Sequence, residues 1–452
     1  MNRFLEVSSM NAEANETVMV NEGVFRPKLL ECLKGYGFSQ LTGDLIAGLI
    51  VAIIALPLSI ALALASGAGP EEGLYTAIAA GFVVSAFGGC KVQIAGPTAA
   101  FATIVAGIIA RNGMAGLAAS AFAAGLIIIV LGLFKLGKHI HKMPYPIVVG
   151  FTGGIAISIL FGQLKDFFGL AYSEKPVETL DKLLCFFKHI GSTDSSTLVF
   201  ASAALAVIFI WPLVPRIGKR IPAAFIAVVL GIIAVSVFKA DVKTIGGLYV
   251  IRPQAPRFIV PDFRPLLDFT VLSDAVVIAL LASVESLLSA KVADEMTGDR
   301  HYPNTELIAQ GLGNMASAVF GGIPATGAIA RTAANIKNGG KTPIAGMFHA
   351  IALLLSLLFL VPCMSLIPMP VIAAILFSVA YNMSGWRNFR NIITERVAKD
   401  KKILNIVELF ATFILTICFD LIVAIIAGIS IHVVAYLLHF RKGKQNLRKL
   451  FQ

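Results

Sequence analysis

Charged residues are scarce in this 452-residue chain: Asp, Glu, Lys and Arg make up 14% of it, whereas hydrophobic residues make up 57%. The mean hydropathy of +0.84 lies far above the range of ordinary soluble domains. This composition excludes a soluble globular protein. It predicts a polytopic membrane protein whose polar residues are confined to connections, ends and a few internal sites.

Motifs for cofactor chemistry are also missing from the sequence. Its five cysteines are scattered without C-x-x-C or metal-ligand spacing, so we expect neither a disulfide framework nor a metal site. No G-x-x-x-x-G-K-[ST] loop for nucleotide phosphates occurs, which removes support for ATP-driven transport. Because no nucleophile is clustered with a base, we expect no enzymatic activity, no catalytic residue and no cofactor.

The amino-terminal segment lacks the apolar core of a signal peptide. Met1 to about Leu29 is polar and carries several glutamates. We therefore expect residues 1–40 to form a cytosolic tail, with the first membrane span acting as the insertion signal.

What the sequence does contain is a series of apolar runs that can cross a hydrocarbon core ~30 Å thick. Counting these runs predicts about fourteen transmembrane segments in an all-α polytopic membrane protein. The third and fourth segments are predicted at Pro97 to Ala110 and Ala115 to Phe134, and the tenth at Thr326 to Asn335.

The basic residues give the chain a formal net charge of +11, and they concentrate in alternate connections and in the carboxy-terminal tail. This asymmetry is the one that the positive-inside rule predicts for a protein with both termini in the cytoplasm. We interpret the charge as an orientation signal with contacts to membrane lipids, and we expect no nucleic-acid partner.

Two stretches, Val92–Ala100 and Gly321–Arg331, interrupt the apolar pattern with glycine and proline. Each is predicted to be a short extended segment followed by a helix too short to cross the bilayer, an arrangement typical of transporter binding sites. The broken helices are the third and the tenth, seven spans apart, so the two halves have opposite topology. We expect the amino-terminal ends of half-helices 3 and 10 to face each other near the bilayer centre.

An anion between these ends would meet unpaired backbone N–H groups and about half a positive charge from each helix. Arg331, about one turn into the tenth helix, raises the local charge to about +2, which suits a divalent oxyanion or a dicarboxylate. The alternative is that Arg331 snorkels to the cytoplasmic interface. The predicted substrate-binding residues are Ser59, Thr98, Ala99, Thr326, Gly327, Ala328 and Arg331.

Glu285 lies inside the apolar eighth span, with Ser289 one turn away on the same face. An ionised Glu285 would neutralise Arg331, whereas a protonated one would leave the arginine available to substrate. We therefore predict that Glu285 and Ser289 form the ion-coupling site, with protons as the coupling ion. A permanent Glu285–Arg331 pair, a sodium site and exchange without either ion are the alternatives.

Six motifs resemble the bacterial sulfate permease (SulP) family, which is related to plant sulfate transporters and to animal prestin and pendrin. They are Ala55–Ala61 with Pro57, Gly67–Thr76, Gln93–Phe101, Glu285–Asp294, Asn304–Asn314 and Thr326–Asn335. Together they cover the chain from about Gly43 to His439. Many relatives place glutamine and an aromatic residue after the first-span proline, whereas Leu58 and Leu62 here predict a more apolar pocket wall.

The resemblance implies a 7+7 inverted-repeat, UraA-like fold in which a core domain moves against a gate domain. The implied core halves are 41–135 and 268–362, and the gate halves are 140–240 and 366–440. Members usually end in a cytosolic STAS domain, whereas this chain stops at Gln452 after a basic tail, 441–452, so we expect that domain to be absent, either because the protein lacks it or because the sequence is cut there.

The resemblance also implies a function: secondary active uptake of a small anion, most simply sulfate, in the bacterial inner (cell) membrane by elevator-like alternating access. Sodium-coupled bicarbonate transport, C4-dicarboxylate transport, and an anion exchanger or channel on the same fold are the alternatives. The expected partners are the anion, protons or sodium as coupling ion, membrane lipids and a second copy of the chain in a homodimer.

Three other polar residues in apolar segments are predicted to be structural. Asp44 would cap the first span, and Asp274 would begin the eighth. His349, alone in the eleventh span, is interpreted as a packed core residue.

Overall fold

A computed structural model describes residues 25–137, 144–174, 176, 178–215, 218, 221–239, 241–394, 399–419 and 423–435. Most of the predicted amino-terminal tail, 1–24, and the basic tail, 441–452, lie outside the described residues.

The described chain consists mainly of helices, because a backbone inside lipid must satisfy its hydrogen bonds within its own segment. The first half contains α1 Lys28–Cys32, α2 Phe38–Ala65, α3 Pro70–Phe87, α4 Ala102–Leu133, α5 Tyr145–Phe168, α6 Thr179–His189, α7 Ser195–Ile210, α8 Ala223–Phe238 and α9 Ile245–Leu248. The second half contains α10 Phe269–Thr297, α11 Pro303–Val319, α12 Ile329–Lys337, α13 Pro343–Phe359, α14 Val361–Ser365, α15 Met369–Met383, α16 Trp386–Thr394, α17 Lys399–Cys418 and α18 Val423–Ala435.

Six helical stretches in the described part of the chain are long and apolar enough to cross a membrane. They are Phe38–Ala65, Ala99–Leu133, Tyr145–Phe168, Ser195–Leu213, Phe269–Thr297 and Met369–Thr394. Three shorter apolar helices accompany them: Ala223–Val237, Pro343–Phe359 and Val423–Ala435.

Both predicted breaks are present. Strand β1, Ala95–Gly96, pairs antiparallel with β2, Thr326–Gly327, so that Ala95 lies opposite Gly327. A 3-10 turn, Ala99–Phe101, leads from β1 into α4, and β2 leads into the nine-residue α12. At 1.5 Å per residue α12 is about 14 Å long, roughly half of the hydrocarbon thickness.

The third and fourth predicted spans form one assigned helix, α4, with a break at Gly113. Its φ of 64° and ψ of −174° are not helical. Glycine tolerates this positive φ because it has no Cβ. The break separates the short helix that follows β1 from the segment that packs on α11, where Gly125 lies against Gly311 and Gly132 against Ile308.

The helices pack in two groups. The first helix group is α2, α3, α4, α10, α11, α12 and α13, and its closest packing joins α4 to α11 and α10, and α13 to α2 and α3. The second helix group is α5, α7, α8, α15 and α17, in which α5 packs on α17 and α15, and α7 on α15 and α8. Between the groups, α2 contacts α8 and α15, and the 3-10 turn contacts α5.

The predicted roles of two aspartates were wrong. Asp44 is fully buried within α2 and accepts hydrogen bonds from the backbone N–H groups of Lys341, at 2.7 Å, and Thr342, at 3.2 Å. It therefore holds the start of α13 against α2 instead of capping its own helix. Asp274 lies inside α10, where it pairs with Arg111 of α4 at 2.9 Å. The cap of α10 is Asp268, which accepts from Thr270 N at 2.8 Å.

Candidate functional site

The antiparallel pairing of β1 and β2 brings the starts of both half-helices together. Thr98 is the amino-terminal cap residue of the 3-10 turn, and Ala328 has this position in α12. The first backbone bond of α12 runs from Thr332 N to Ala328 O at 2.9 Å, so the N–H groups of residues 329–331 precede the helical ladder. Both helices thus direct unpaired donors and the positive ends of their dipoles toward one region.

A cavity of about 430 Å³ lies at these helix ends. The first helix group contributes Leu58, Leu62, Pro97, Thr98, Ala99, Ala100, Glu285, Gly327, Ala328, Ile329, Ala330 and Arg331 to its lining. The second group contributes Thr152, Val379, Asn382 and Met383. The cavity therefore lies between the two helix groups, and each group contributes both polar and apolar side chains to its wall.

Glu285 of α10 is half-buried and lines the cavity. Its Oε2 accepts hydrogen bonds from the hydroxyl groups of Thr98 and Thr326, each at 3.0 Å. The two hydroxyl oxygens are 3.2 Å apart. One carboxylate oxygen therefore joins the end of β1 to the end of β2, directly beside the half-helix starts.

Arg331 is 1% exposed and packs against β1 within the cavity wall. Its Nη2 donates to Ser59 Oγ at 3.1 Å and to Pro97 O at 3.3 Å. A Cβ on Gly96 would overlap Nη1, so glycine is needed at this close approach. This burial contradicts the snorkelling alternative. Arg331 bonds to Ser59 and Pro97, and Glu285 to Thr98 and Thr326, so the two side chains do not form the alternative permanent ion pair in the described residues.

The strands and the residues before β1 are held in place by hydrogen bonds to α10 and α12. Ser286 Oγ accepts from Gly327 N at 3.0 Å, and Ser286 O accepts from Gln93 Nε2 at 3.2 Å. Thr332 Oγ1 accepts from Ile94 N at 3.1 Å. Buried polar groups with partners in neighbouring elements fix the relative positions of those elements. The site is therefore built on a hydrogen-bonded frame.

The predicted substrate-binding residues fall into two sets in the structure. Thr98, Ala99, Gly327, Ala328 and Arg331 line the cavity. Ser59 and Thr326 are fully buried behind it, where Ser59 accepts from Arg331 and Thr326 donates to Glu285.

Ser289, predicted to act with Glu285 in ion coupling, is fully buried, with its Oγ 3.4 Å from Thr332 Oγ1. The cavity residues of the second helix group, Thr152, Val379, Asn382 and Met383, were missed by the sequence reasoning. No local pattern marks them, because their position depends on how the two groups pack together.

Known proteins provide an independent comparison. The chain matches the sulfate permease family over residues 41–407. A Bacillus subtilis protein, YvdB, whose name designates it provisionally as a sulfate transporter, is 40% identical over 89% of this chain and 75% of its own length. The bicarbonate transporter BicA of Picosynechococcus is 34% identical over 87% of this chain and 70% of its own length.

Solved structures agree with this match. The transmembrane domain of a cyanobacterial bicarbonate transporter, BicA, superposes with a TM-score of 0.76 at 31% identity, covering 86% of this chain and 98% of that domain. Murine Slc26a9, an anion transporter in the inward-facing state, gives a TM-score of 0.81 at 19% identity over 96% of this chain and 75% of its own. The second likeness concerns the fold alone.

Paired half-helices beside a cavity, inside a bundle of apolar helices, are typical of multi-pass membrane transporters, and the family that the chain matches consists of transporters and not of enzymes. The chain belongs to the sulfate permease family, and it is an anion transporter. The predicted fold class, an all-α polytopic membrane protein with a UraA-like fold, is thereby confirmed.

Proposed function

We propose that this protein is a secondary active transporter that takes up sulfate together with protons. The observation that carries the proposal is the convergence of two helix amino-terminal ends and one buried arginine on a single cavity. Two half-charges and the full charge of Arg331 give about +2 beside the cavity, which favours a divalent anion. The free N–H groups at both helix starts supply hydrogen bonds to its oxygens.

Arg331 would act from within the cavity wall. Its guanidinium is held by Ser59 and the Pro97 carbonyl, so its position is fixed before an anion arrives. Two unit charges at roughly 6 Å attract by about 3 kcal/mol at an effective dielectric constant of 20, so direct contact is not required. Ser59 and Thr326 support the site, whereas Thr98, Ala99, Gly327 and Ala328 face the anion.

Glu285 would carry the coupling proton. An ionised carboxylate at the cavity lowers the local charge from about +2 to about +1, whereas a protonated one restores it. Anion binding and protonation of Glu285 therefore favour each other, and this reciprocity is the basis of symport. The two threonine hydroxyls keep the carboxyl group in place in either state. Ser289 would contribute indirectly, through Thr332.

Sodium-coupled bicarbonate transport is the second candidate, and specific likenesses favour it. BicA proteins are bicarbonate transporters by name, and the BicA membrane domain covers 86% of this chain at 31% identity. Leu58 and Leu62 give this cavity an apolar side, which reduces the number of polar contacts available to discriminate between anions.

Movement of the first helix group past the second would carry the site across the membrane. The cavity lies between the groups, which supports alternating access of this elevator type. In this proposal the first group is the core domain, 41–135 with 268–362. The second is the gate domain, 140–240 with 366–440. We further propose insertion in the bacterial inner membrane with both termini cytoplasmic, from the distribution of Lys and Arg.

Uptake into proteoliposomes tests the proposal. The purified protein would be given labelled sulfate, bicarbonate, succinate, fumarate and chloride, each with and without a proton or a sodium gradient. Saturable sulfate uptake that increases with an inward proton gradient is expected. Sodium-dependent bicarbonate uptake without sulfate uptake would select the second candidate, and flux without saturation would indicate a channel.

A further inference from the structure

The side of Arg331 that faces away from Ser59 lies in a buried region which the proposed function does not use. Its Nε and Nη1 are both inaccessible to solvent and have no hydrogen-bond partner within the described residues. A buried N–H group without a partner costs about 1–3 kcal/mol, more when it is charged. Such groups in native proteins usually bond to ordered water.

His349 of α13 also has buried polar atoms without hydrogen-bond partners. It is fully buried, and among the described residues neither Nδ1 nor Nε2 has a hydrogen-bond partner. A neutral imidazole has one donor and one acceptor, so this ring has two unmet hydrogen bonds. A packed core histidine, as predicted from the sequence, would be expected to satisfy at least one of them.

Both side chains face the same side of α3. The Cβ position of Gly96, which meets the Arg331 guanidinium, lies 3.6 Å from Cα of Ala77. The Cβ position of Gly81, one turn along α3, lies 3.8 Å from Nδ1 of His349. Residues four apart on a helix are about one turn, or 5.4 Å, apart. The guanidinium therefore lies near Ala77 and the imidazole near Gly81, along the same side of α3 and close to β1.

A third buried polar group without a hydrogen-bond partner lies on the same helix, α3. Ser85 lies one further turn along α3, and its Oγ is buried without a partner within the described residues. It contacts the backbone of α13 at Gly346, one turn before His349. The Cβ position of Gly81 lies 3.2 Å from Ala95 O and 3.8 Å from Nδ1 of His349. A carbonyl oxygen and the unpartnered imidazole therefore border the same space beside Gly81.

We propose that ordered water occupies an internal polar site formed by Arg331, His349, Ser85 and the backbone beside Gly81, and that His349 is a positioning residue for the anion site. Water bonded to the imidazole would satisfy Nε and Nη1 of Arg331. It would hold the guanidinium at β1 without removing its charge. This inference rests on the proposed function of Arg331, but the hydration of His349 does not depend on which anion is transported.

Hydration is tested by nuclear magnetic resonance on the full chain in proteoliposomes, with the ring nitrogens of all seven histidines labelled. Comparison with the His349→Gln variant identifies the His349 signals. We expect polarisation transfer from water to at least one His349 ring nitrogen although the side chain is fully buried. The absence of any transfer from water to either nitrogen would overturn the proposal.

The positioning role is tested by uptake kinetics, with sulfate as the probe, or bicarbonate if the wild type takes up only that anion. His349→Leu should raise KM by about tenfold with kcat within about twofold, and His349→Gln should restore KM to within about threefold of wild type. Equal KM values for wild type and His349→Leu would contradict the role.

Gly81→Ala separates the positioning role of His349 from a purely structural one, because it should raise KM without lowering stability. Alanine is favoured over glycine inside a helix by about 1 kcal/mol, which opposes the cost of placing its Cβ 3.2 Å from Ala95 O, so the melting temperature should change little. Its methyl group would nevertheless narrow the space that Ala95 O and the His349 ring border, which should exclude the proposed water, and KM should rise by about threefold to tenfold. A stable Gly81→Ala protein with wild-type KM and unchanged water transfer at His349 would overturn the proposal.

Failure of the wild type to transport any anion would contradict the proposed function. The resonance experiment would then still decide whether His349 is hydrated.

Discussion

The two helix groups differ in how they satisfy their buried polar side chains. In the first group these side chains bond across elements: Asn314 of α11 donates to Ala325 O and accepts from Ala325 N, both at 2.9 Å. Glu306 of α11 likewise accepts from the N–H groups of Gly89, at 2.9 Å, and Cys90, at 3.1 Å. The Asn314 bonds join α11 to the segment before β2, and the Glu306 bonds join α11 to a segment more than 200 residues earlier in the chain.

In the second group most buried hydroxyls bond to their own helix. Thr412 and Thr416 of α17 donate to the carbonyl oxygens of Glu408 and Thr412, each at 2.7 Å. Contacts between helices also occur, such as that between Glu408 and His432 at 2.7 Å. The buried residues of α15 are nevertheless all apolar, and those of α5 are apolar or glycine apart from Ser158 and Gln163.

This difference in hydrogen bonding indicates different mechanical roles for the two helix groups. Cross-element hydrogen bonds make the first group a rigid frame, and the functional site is part of that frame. An apolar wall has no directional bonds to break when a neighbour slides along it. A polar, rigid group beside an apolar one is therefore suited to movement of one group past the other.

The largest expected effect follows from removing the charge that the first group holds at the cavity. Arg331→Ala should lower sulfate uptake by at least about 100-fold, because about 3 kcal/mol of attraction is lost. Arg331→Lys keeps the charge but not the planar geometry that reaches Ser59 and Pro97, and an intermediate loss of about tenfold is expected. Uptake in proteoliposomes measures both. Near wild-type uptake by Arg331→Ala would remove the arginine from the binding site.

A matched pair of glycine substitutions compares the two groups directly. Gly96→Ala introduces a Cβ that overlaps Nη1 of Arg331, so uptake should fall by about tenfold or more through a raised KM. Gly162→Ala on α5 is the control, because nothing lies within 4 Å of its Cβ position. Uptake by the Gly162→Ala variant should stay within about twofold of wild type. Equal effects of the two substitutions would show that Gly96 has no special relation to the site.

Coupling is tested at Glu285. Glu285→Gln keeps an oxygen that can accept from Thr98 and Thr326, so anion exchange should stay within about threefold of wild type. Accumulation driven by a proton gradient should fall to the level seen without the gradient. Glu306→Gln, a buried carboxyl of the same group that is absent from the cavity lining, should keep gradient-driven accumulation. Gradient-driven accumulation by Glu285→Gln would rule out its role as the proton carrier.

The smallest effect concerns stability alone. Asn314→Ala leaves Ala325 N and Ala325 O without their partner, at a cost of about 2–4 kcal/mol. Thr416→Ala removes a bond within one helix, and about 1 kcal/mol or less is expected. Melting temperatures in detergent should therefore fall by several degrees more for Asn314→Ala. A larger decrease for Thr416→Ala would contradict the assignment of the rigid frame to the first group.

The backbone of the site could be predicted from the sequence because its signals are local. Glycine and proline at Gly96-Pro97 and at Gly322 and Pro324 interrupt long apolar runs, and the structure has strands there. Glu285 and Arg331 were identified because charged residues are rare within apolar segments and need a partner or a function.

The rest of the site depends on packing that no local pattern encodes. The direction of the Arg331 side chain, into the cavity wall, follows from the space left by Gly96 and from Ser59 on a distant helix. The contribution of Asn382 to the cavity depends on how α15 lies against the first group. A helix that is apolar on all sides gives no indication of which face meets a neighbour.

The most direct test is an electron cryomicroscopy structure of the protein in lipid nanodiscs with saturating sulfate, and with bicarbonate in a parallel sample. The prediction is density for the transported anion within about 3 Å of the backbone N–H groups of Ala99 and Ala330, beside Arg331. Density for that anion elsewhere in the protein, with the half-helix ends unoccupied, would contradict the central claim.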